Sequence, residues 1–378
     1  MKVFLIAGEA SGDALGGALM AGLKQLSPGV QFDGVGGPLM QAEGLTSRFE
    51  MSELSLMGIT EILPKYFHLK RRIRETAEAI LTSRPDVVVT IDSPDFCLRV
   101  AKRVKAASDI RIVHYVAPSV WAWRPGRAAK MAPLVDQVLA LLPFEPPYME
   151  AAGIRCDFVG HPIAGTPQAS ADAAQDFRAR HDVGSAPLVL VLPGSRRGEI
   201  ARLSGRFGAA LGLLAERRPE AVFVLPVAPS VRDQIDEAVA QWPVEPILLD
   251  GPAEDKRAAF AAADVALAAS GTVSLELAAA GTPMVIAYDL APLSRMIIGR
   301  MLRVDTVTLV NLVSDTRTVP EFIGKACAPG PIAKALLGVL NAPEAQHEAM
   351  SVAMQRLGRG GEPPGLRAAR AVLDGIQG

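Results

Sequence analysis

The sequence predicts an α/β protein of two doubly wound, parallel-sheet domains. Three observations carry this. Apolar runs of strand length alternate with helical stretches along nearly the whole chain. Those runs lack polar alternation, as expected of parallel strands covered on both faces. The length, 378 residues, favours two domains over one.

The runs are Val3–Ala7, Val87–Ile91, Ile110–Val116 and Val138–Leu142 in the first half, and Leu188–Leu192, Val222–Val227, Ile247–Leu249, Val265–Ala269 and Met284–Tyr288 in the second. Between the halves, Pro162 to Ala186 collects Gly, Pro, Ser, Thr and Ala, the composition of a boundary. The expected domains are 1–164, 165–345, and a tail 346–378. A ligand is expected in the cleft, at the carboxyl ends of the strands.

Bulk numbers exclude several classes. The chain is 49% hydrophobic and 21% charged, an ordinary globular composition. Net charge is −1, so no overall basic field points to nucleic acid. Lys2 is followed only by Val3–Ala7, too short for a secretory signal. Cys97, Cys156 and Cys327 are few and far apart, which fits reduced thiols in the cytoplasm. Val265–Ala287 is strongly apolar, but Asp264, Glu276 and Asp289 cut it into runs of 11 and 12 residues. Both are short of the roughly 20 needed to cross a bilayer.

Candidate site residues stand after the strands. In Gly8-Glu-Ala-Ser-Gly-Asp13, small residues surround Glu9, Ser11 and Asp13, which suits a polar ligand; G-x-G-x-x-G is absent and the acids would repel a pyrophosphate. Leu54–Arg74 mixes Leu56, Met57, Ile59, Ile62, Leu63 and Phe67 with Lys70, Arg71 and Arg72. Such a stretch is either a core helix with a solvated end or a surface that docks on anionic lipid. Asp92 and Asp95 follow the second run, and either carboxylate could take a proton from a hydroxyl nucleophile or cap the next helix. Trp121, Trp123 and Arg124 put stacking faces beside a cation. His161 lies near the boundary as a candidate for the cleft.

In the second half, Leu192-Pro-Gly-Ser-Arg-Arg197 offers Gly194 and Ser195 as backbone donors and Arg196 or Arg197 as a fork for phosphate oxygens. Ser270-Gly271-Thr272 turns sharply into a helix whose start carries partial positive charge and unpaired N–H groups. Ser or Thr there is also a common cap. Glu276, one turn on, could accept from sugar hydroxyls. Asn311 is a polar group in an apolar setting and needs partners if buried. There is no metal-ligand spacing, H-E-x-x-H, P-loop or G-x-S-x-G.

Taken together, GEASGD (from Gly8), IDSPDF (from Ile91), HYVAPSVWAWR (from His114), LPFE (from Leu142), VGHP (from Val159), LPGSRRGE (from Leu192), SGTVSLELAAAGTPMVIAY (from Ser270) and VNL (from Val310) resemble the lipid-A-disaccharide synthase family, in the same order. Ala117 stands where Ser is expected and Ser93 where Ala is usual. The resemblance implies a two-domain hexosyltransferase of the glycosyltransferase B-type fold, with the tail returning as a helix to the first domain. It implies transfer of diacylglucosamine from UDP-diacylglucosamine to the 6-hydroxyl of diacylglucosamine 1-phosphate, in lipopolysaccharide biosynthesis. The family acts peripherally at the inner face of the bacterial inner membrane, usually without metal or other cofactor; a homodimer is compatible with it. Asp95 then matches the base, Arg196 the arginine near the leaving phosphates, Ser270–Thr272 the pyrophosphate site, Glu276 the ribose site and Asn311 a polar residue near the nucleotide. Lipid substrates would make Leu54–Arg74 the membrane-facing acyl patch. The rival readings are another UDP-sugar enzyme of this fold, an NAD oxidoreductase, and a lipid-binding protein without catalysis.

Overall fold

The structure, a computed structural model, describes residues 1–54, 62–290 and 304–377. It divides into two compact units, one of Met1–Gly165 with Gly360–Gly378, the other of Thr166–Arg359.

The first unit is a sheet of six parallel strands. Its strands are β1 (Lys2–Ala7), β2 (Gln31–Val35), β3 (Val87–Ile91), β4 (Arg111–Tyr115), β5 (Gln137–Ala140) and β6 (Arg155–Phe158), in the order β2-β1-β3-β4-β5-β6. Val3 to Ala7 are fully buried, because helices cover both faces. β1 and β3 run side by side in register, Val3 beside Val87 and Ala7 beside Ile91. The chain leaves β1 toward one edge and returns at β3 to build toward the other. That reversal is the switch point, where loops on opposite faces diverge and leave a crevice. The loops there are Gly8–Glu9 and Asp92–Ser93.

The second unit repeats the plan. Its strands are β7 (Leu188–Leu192), β8 (Val222–Pro226), β9 (Ile247–Leu249), β10 (Val265–Ala268), β11 (Met284–Tyr288) and β12 (Glu321–Ile323), all parallel, in the order β12-β11-β10-β7-β8-β9. Its switch point lies between β7 and β10, with Leu192 beside Ala268. The turns after those strands hold Gly194–Arg196 and Ser270–Thr272.

Three strands escape the sequence pattern: β2, β6 and β12. All are edges and half-exposed in places, so they carry Asp33, Asp157 and Glu321 where central strands are apolar.

The tail divides at 360 rather than 346. The helix Glu344–Arg356 packs against the helices Leu309–Ser314 and Val273–Ala280 of the second unit. The helix Pro364–Gln377 packs on Ala10–Leu26 of the first. Close approach there is set by glycine: a Cβ on Gly365 would meet the Ala18 carbonyl oxygen at 2.5 Å. The buried Gln137 amide on β5 donates to the Ala371 carbonyl at 2.9 Å, and Arg367 donates to that of Phe158 at 2.8 Å.

Candidate active site

At the switch point of the first unit, β3 ends in two consecutive left-handed residues, Asp92 (φ 49°) and Ser93 (φ 42°). Non-glycine residues in this conformation cost about 1–3 kcal/mol each and gather at functional sites. The Asp92 N–H donates to the Tyr115 carbonyl of β4 at 2.9 Å, which anchors the turn. Gly8 closes against it, and a Cβ on Gly8 would lie 2.5 Å from Ser93 Oγ. The helix Pro94–Lys105 then starts with no side-chain cap, so neither Asp92 nor Asp95 is spent as one. Asp95 is exposed in the first helical turn, and among the described residues no hydrogen bond or ion pair engages it. Glu9 and Ser11 are exposed on the neighbouring loop. Glu9 and Asp92 on the loops, and Asp95 in the first helical turn, thus stand at one acidic switch point.

Asp13 does not join them. It is buried, and its carboxylate accepts from the N–H groups of Gly37, Leu39 and Met40 at 2.9, 2.9 and 3.0 Å. A carboxylate on three amides at the start of the helix Pro38–Ala42 is a structural cap.

The loop after β4 opens with Val116 at φ 86°, a costly angle for a β-branched residue, and reaches Arg124 at φ 59°. Trp121 is buried, not a stacking platform. Its ring meets Phe144 edge-on at 5.2 Å and its indole N–H donates to Glu145 at 3.4 Å. Trp123 keeps the expected form: half-buried, with the Arg124 guanidinium 4.2 Å over its ring. Burial pushes the Glu145 carboxyl up to about 7. His161 is no cation either. Its Nδ1 accepts the Ile163 N–H at 3.2 Å, and burial lowers its pKa to about 4.

Of the apolar–basic stretch, Leu56, Met57 and Ile59 lie outside the described residues, and Ile62 and Leu63 begin the helix Ile62–Ser83. Phe67 is 76% exposed, and Lys70 and Arg71 are exposed. Arg72 turns inward. It grips Glu53 with two bonds of 2.8 Å and lies 4.4 Å over the Phe49 ring, so it braces the helix.

In the second unit a cavity of about 600 Å³ lies at the carboxyl ends of β7–β10, lined in part by Gly194, Arg196, Glu199, Lys256, Thr272 and Glu276. Gly271, at φ 154°, lets β10 turn into the helix Val273–Ala280. Neither Ser270 nor Thr272 caps that helix, contrary to expectation. Ser274 Oγ instead donates to the Gly271 carbonyl at 2.9 Å. The Ser274 and Leu275 N–H groups donate to the Gly271 and Thr272 carbonyls at 3.3 and 2.9 Å, which leaves those of Gly271, Thr272 and Val273 for a ligand, and with the helix dipole they favour an anion.

The turn after β7 behaves differently. Its Ser195 N–H donates to the Glu199 carboxylate at 3.2 Å, so it is not the open donor the sequence predicts. The Arg196 side chain is 84% exposed, its guanidinium 3.6 Å from Glu199. Across the cavity Lys256 Nζ lies 2.9 Å from the Glu276 carboxylate. Lys256 and Glu199 are the two members the sequence did not single out. Lys256 sits in an unremarked helix after β9, and Glu199 closes the LPGSRRGE motif without an assigned role.

Asn311 is not at this cavity. It is 1% exposed and fully engaged: its amide N–H groups reach the Val319 carbonyl, Glu321 and Thr306 at 3.0–3.2 Å, and its oxygen accepts the Val319 N–H at 3.0 Å. It pins the approach to β12. Among the described residues no group of three or more His, Cys, Asp or Glu could hold a metal ion, and no helix is long and apolar enough to cross a membrane.

Comparison with known proteins bears on this arrangement. The profile of the lipid-A-disaccharide synthetase family matches residues 3–363. The lipid-A-disaccharide synthase of Ruegeria pomeroyi is 64% identical, with 100% of this chain and 96% of that protein covered. That of Rhodospirillum centenum is 49% identical, with 100% and 95% covered. Among solved structures, the chain resembles a Staphylococcus aureus MnaA–UDP complex (TM-score 0.64, 14% identity, 100% and 96% covered) and an Acinetobacter baumannii MurG (TM-score 0.58, 16% identity, 100% and 99% covered). At such identities these two show the fold alone, a glycosyltransferase B-type arrangement.

Proposed function

The chain belongs to the lipid-A-disaccharide synthase family and is a glycosyltransferase that forms the lipid A disaccharide; from that premise we propose its substrates and the residues that act on them. The donor is UDP-diacylglucosamine and the acceptor is diacylglucosamine 1-phosphate. Asp95 takes the proton from the acceptor 6-hydroxyl. The oxygen attacks the anomeric carbon from the face opposite UDP, the bond to the β-phosphate oxygen breaks, and that oxygen keeps the electron pair. Configuration inverts, and a β-1,6 disaccharide 1-phosphate and UDP are released. Arg196 and the N–H groups at the start of the helix Val273–Ala280 hold the charge that grows on UDP. Glu276, oriented by Lys256, receives the ribose hydroxyls.

The observation that carries this reading is the uncapped helix start beside Arg196 at the switch point of the second unit. A site built that way takes a diphosphate without a metal, so we propose none. Exposed Phe67 with Lys70 and Arg71 supports a peripheral position on the inner face of the bacterial inner membrane, where both lipids lie.

The test is disaccharide and UDP formation by purified protein given both lipids in detergent, with Asp95→Ala alongside. Wild type should form both products, and the variant should lose about 10³-fold or more in kcat. No disaccharide from folded wild type would sink the substrate assignment and favour a soluble UDP-sugar. An unimpaired Asp95→Ala would move the base to Asp92.

A further inference from the structure

Glu199 is a carboxylate in a cavity read as a phosphate site. A negative charge there repels the donor, so its presence calls for a reason. Its contacts supply one. Glu199 is the third residue of the helix Arg197–Ala215, and its side chain is 12% exposed. Oε2 accepts the N–H groups of Ser195 and Arg196 at 3.2 and 3.4 Å. Oε1 lies 3.6 Å from the Arg196 guanidinium and accepts the Tyr288 hydroxyl at 3.4 Å. Gly194 completes the fit. Its φ is 112°, and a Cβ there would come within 2.5 Å of Glu199 Oε2. One side chain thus ties the turn after β7 to the end of β11, with β10 between them.

We propose that Glu199 is a positioning residue for the transfer step, acting through Arg196. It fixes the Ser195–Arg196 backbone and draws the guanidinium to one side of the cavity, where the leaving phosphate forms. It also occupies the donors of its own turn, which leaves the diphosphate to the start of the helix Val273–Ala280. The inference rests on the proposed role of Arg196 at the leaving group.

The experiment is a double-mutant cycle on the full chain with wild type, Glu199→Gln, Arg196→Ala and the double variant. kcat and donor KM are measured, and UDP binding by calorimetry. Glu199→Gln keeps size and an acceptor oxygen but removes the charge. Its kcat should fall about 10²-fold, the scale of a misplaced catalytic group. Its donor KM and its Kd for UDP should not rise, because a repelling charge has gone. In the Arg196→Ala background the same change should cost almost nothing further. Unchanged kcat in Glu199→Gln would overturn the proposal. So would a full loss that persists without Arg196, or a loss shared equally by kcat and UDP affinity. Should Glu199→Gln fail to fold, Tyr288→Phe removes one tie alone, and its smaller loss in kcat must likewise vanish without Arg196. Wild type that makes no disaccharide counts against the substrate reading only; the cycle is then run on whichever UDP-sugar it turns over.

Discussion

The two units share a fold and differ in charge where it matters. Each is a six-stranded parallel sheet with a switch point beside its first strand. Around the first stand Glu9, Asp92 and Asp95; around the second stand Arg196, Lys256 and an uncapped helix start. One sheet plan therefore presents carboxylates in one unit and cations beside a helix start in the other. The strands supply position, and a handful of loop residues supply chemistry. Each unit also keeps a shielded glutamate behind its loop, Glu145 under Trp121 and Glu199 under Arg196.

The contrast can be broken from the cationic side first. Arg196→Ala should lower kcat/KM by about 10²–10³-fold, as expected when one preorganised donor to a developing charge is removed. Arg196→Lys should recover little of it, since an ammonium cannot reproduce a planar two-pronged contact. Recovery by Lys would show that only net charge matters there.

On the acidic side, not every carboxylate should behave alike. Asp13→Ala should leave activity per folded molecule intact and cost about 4 kcal/mol of stability, because three buried or half-buried N–H groups lose a charged acceptor. Denaturant unfolding measures this. A folded Asp13→Ala with abolished turnover would return Asp13 to the site.

Glu145 sharpens the comparison through pH. Its carboxyl is raised from 4.5 to about 7 by burial. Between those values the folded chain holds a proton that the unfolded chain has released, so this group makes stability fall as pH rises. The full contribution is roughly 3 kcal/mol across that window. Glu145→Gln cannot titrate and should lack that part of the slope. Thermal unfolding at pH 5 and pH 8 decides: relative to wild type the variant should gain stability at the higher pH. Equal slopes would mean that Glu145 is solvated in solution.

Much of this was legible in the residues. Central strands announce themselves because burial on both faces forces unbroken apolar runs, and the loops after them held nearly every residue that lines the two switch points. Direction was not legible. Asp13, Trp121, Arg72 and Asn311 were each drawn toward ligands by type and motif, yet each turns inward to an N–H group, a carboxylate or a carbonyl. Lys256 gave no signal, because its partner Glu276 is 20 residues away.

Strand–helix alternation, the division into two units, the loop chemistry and the family resemblance are all local in the chain, so the residues alone carry them. Folding sets which loops become neighbours, which polar side chains are consumed as caps and struts, and which charges sit together. Strand order sets the first: β7 lies beside β10, so Arg196 and Thr272 line one cavity across 75 intervening residues. Burial and hydrogen-bond geometry set the other two, and both depend on distances that close only when the sheet is built.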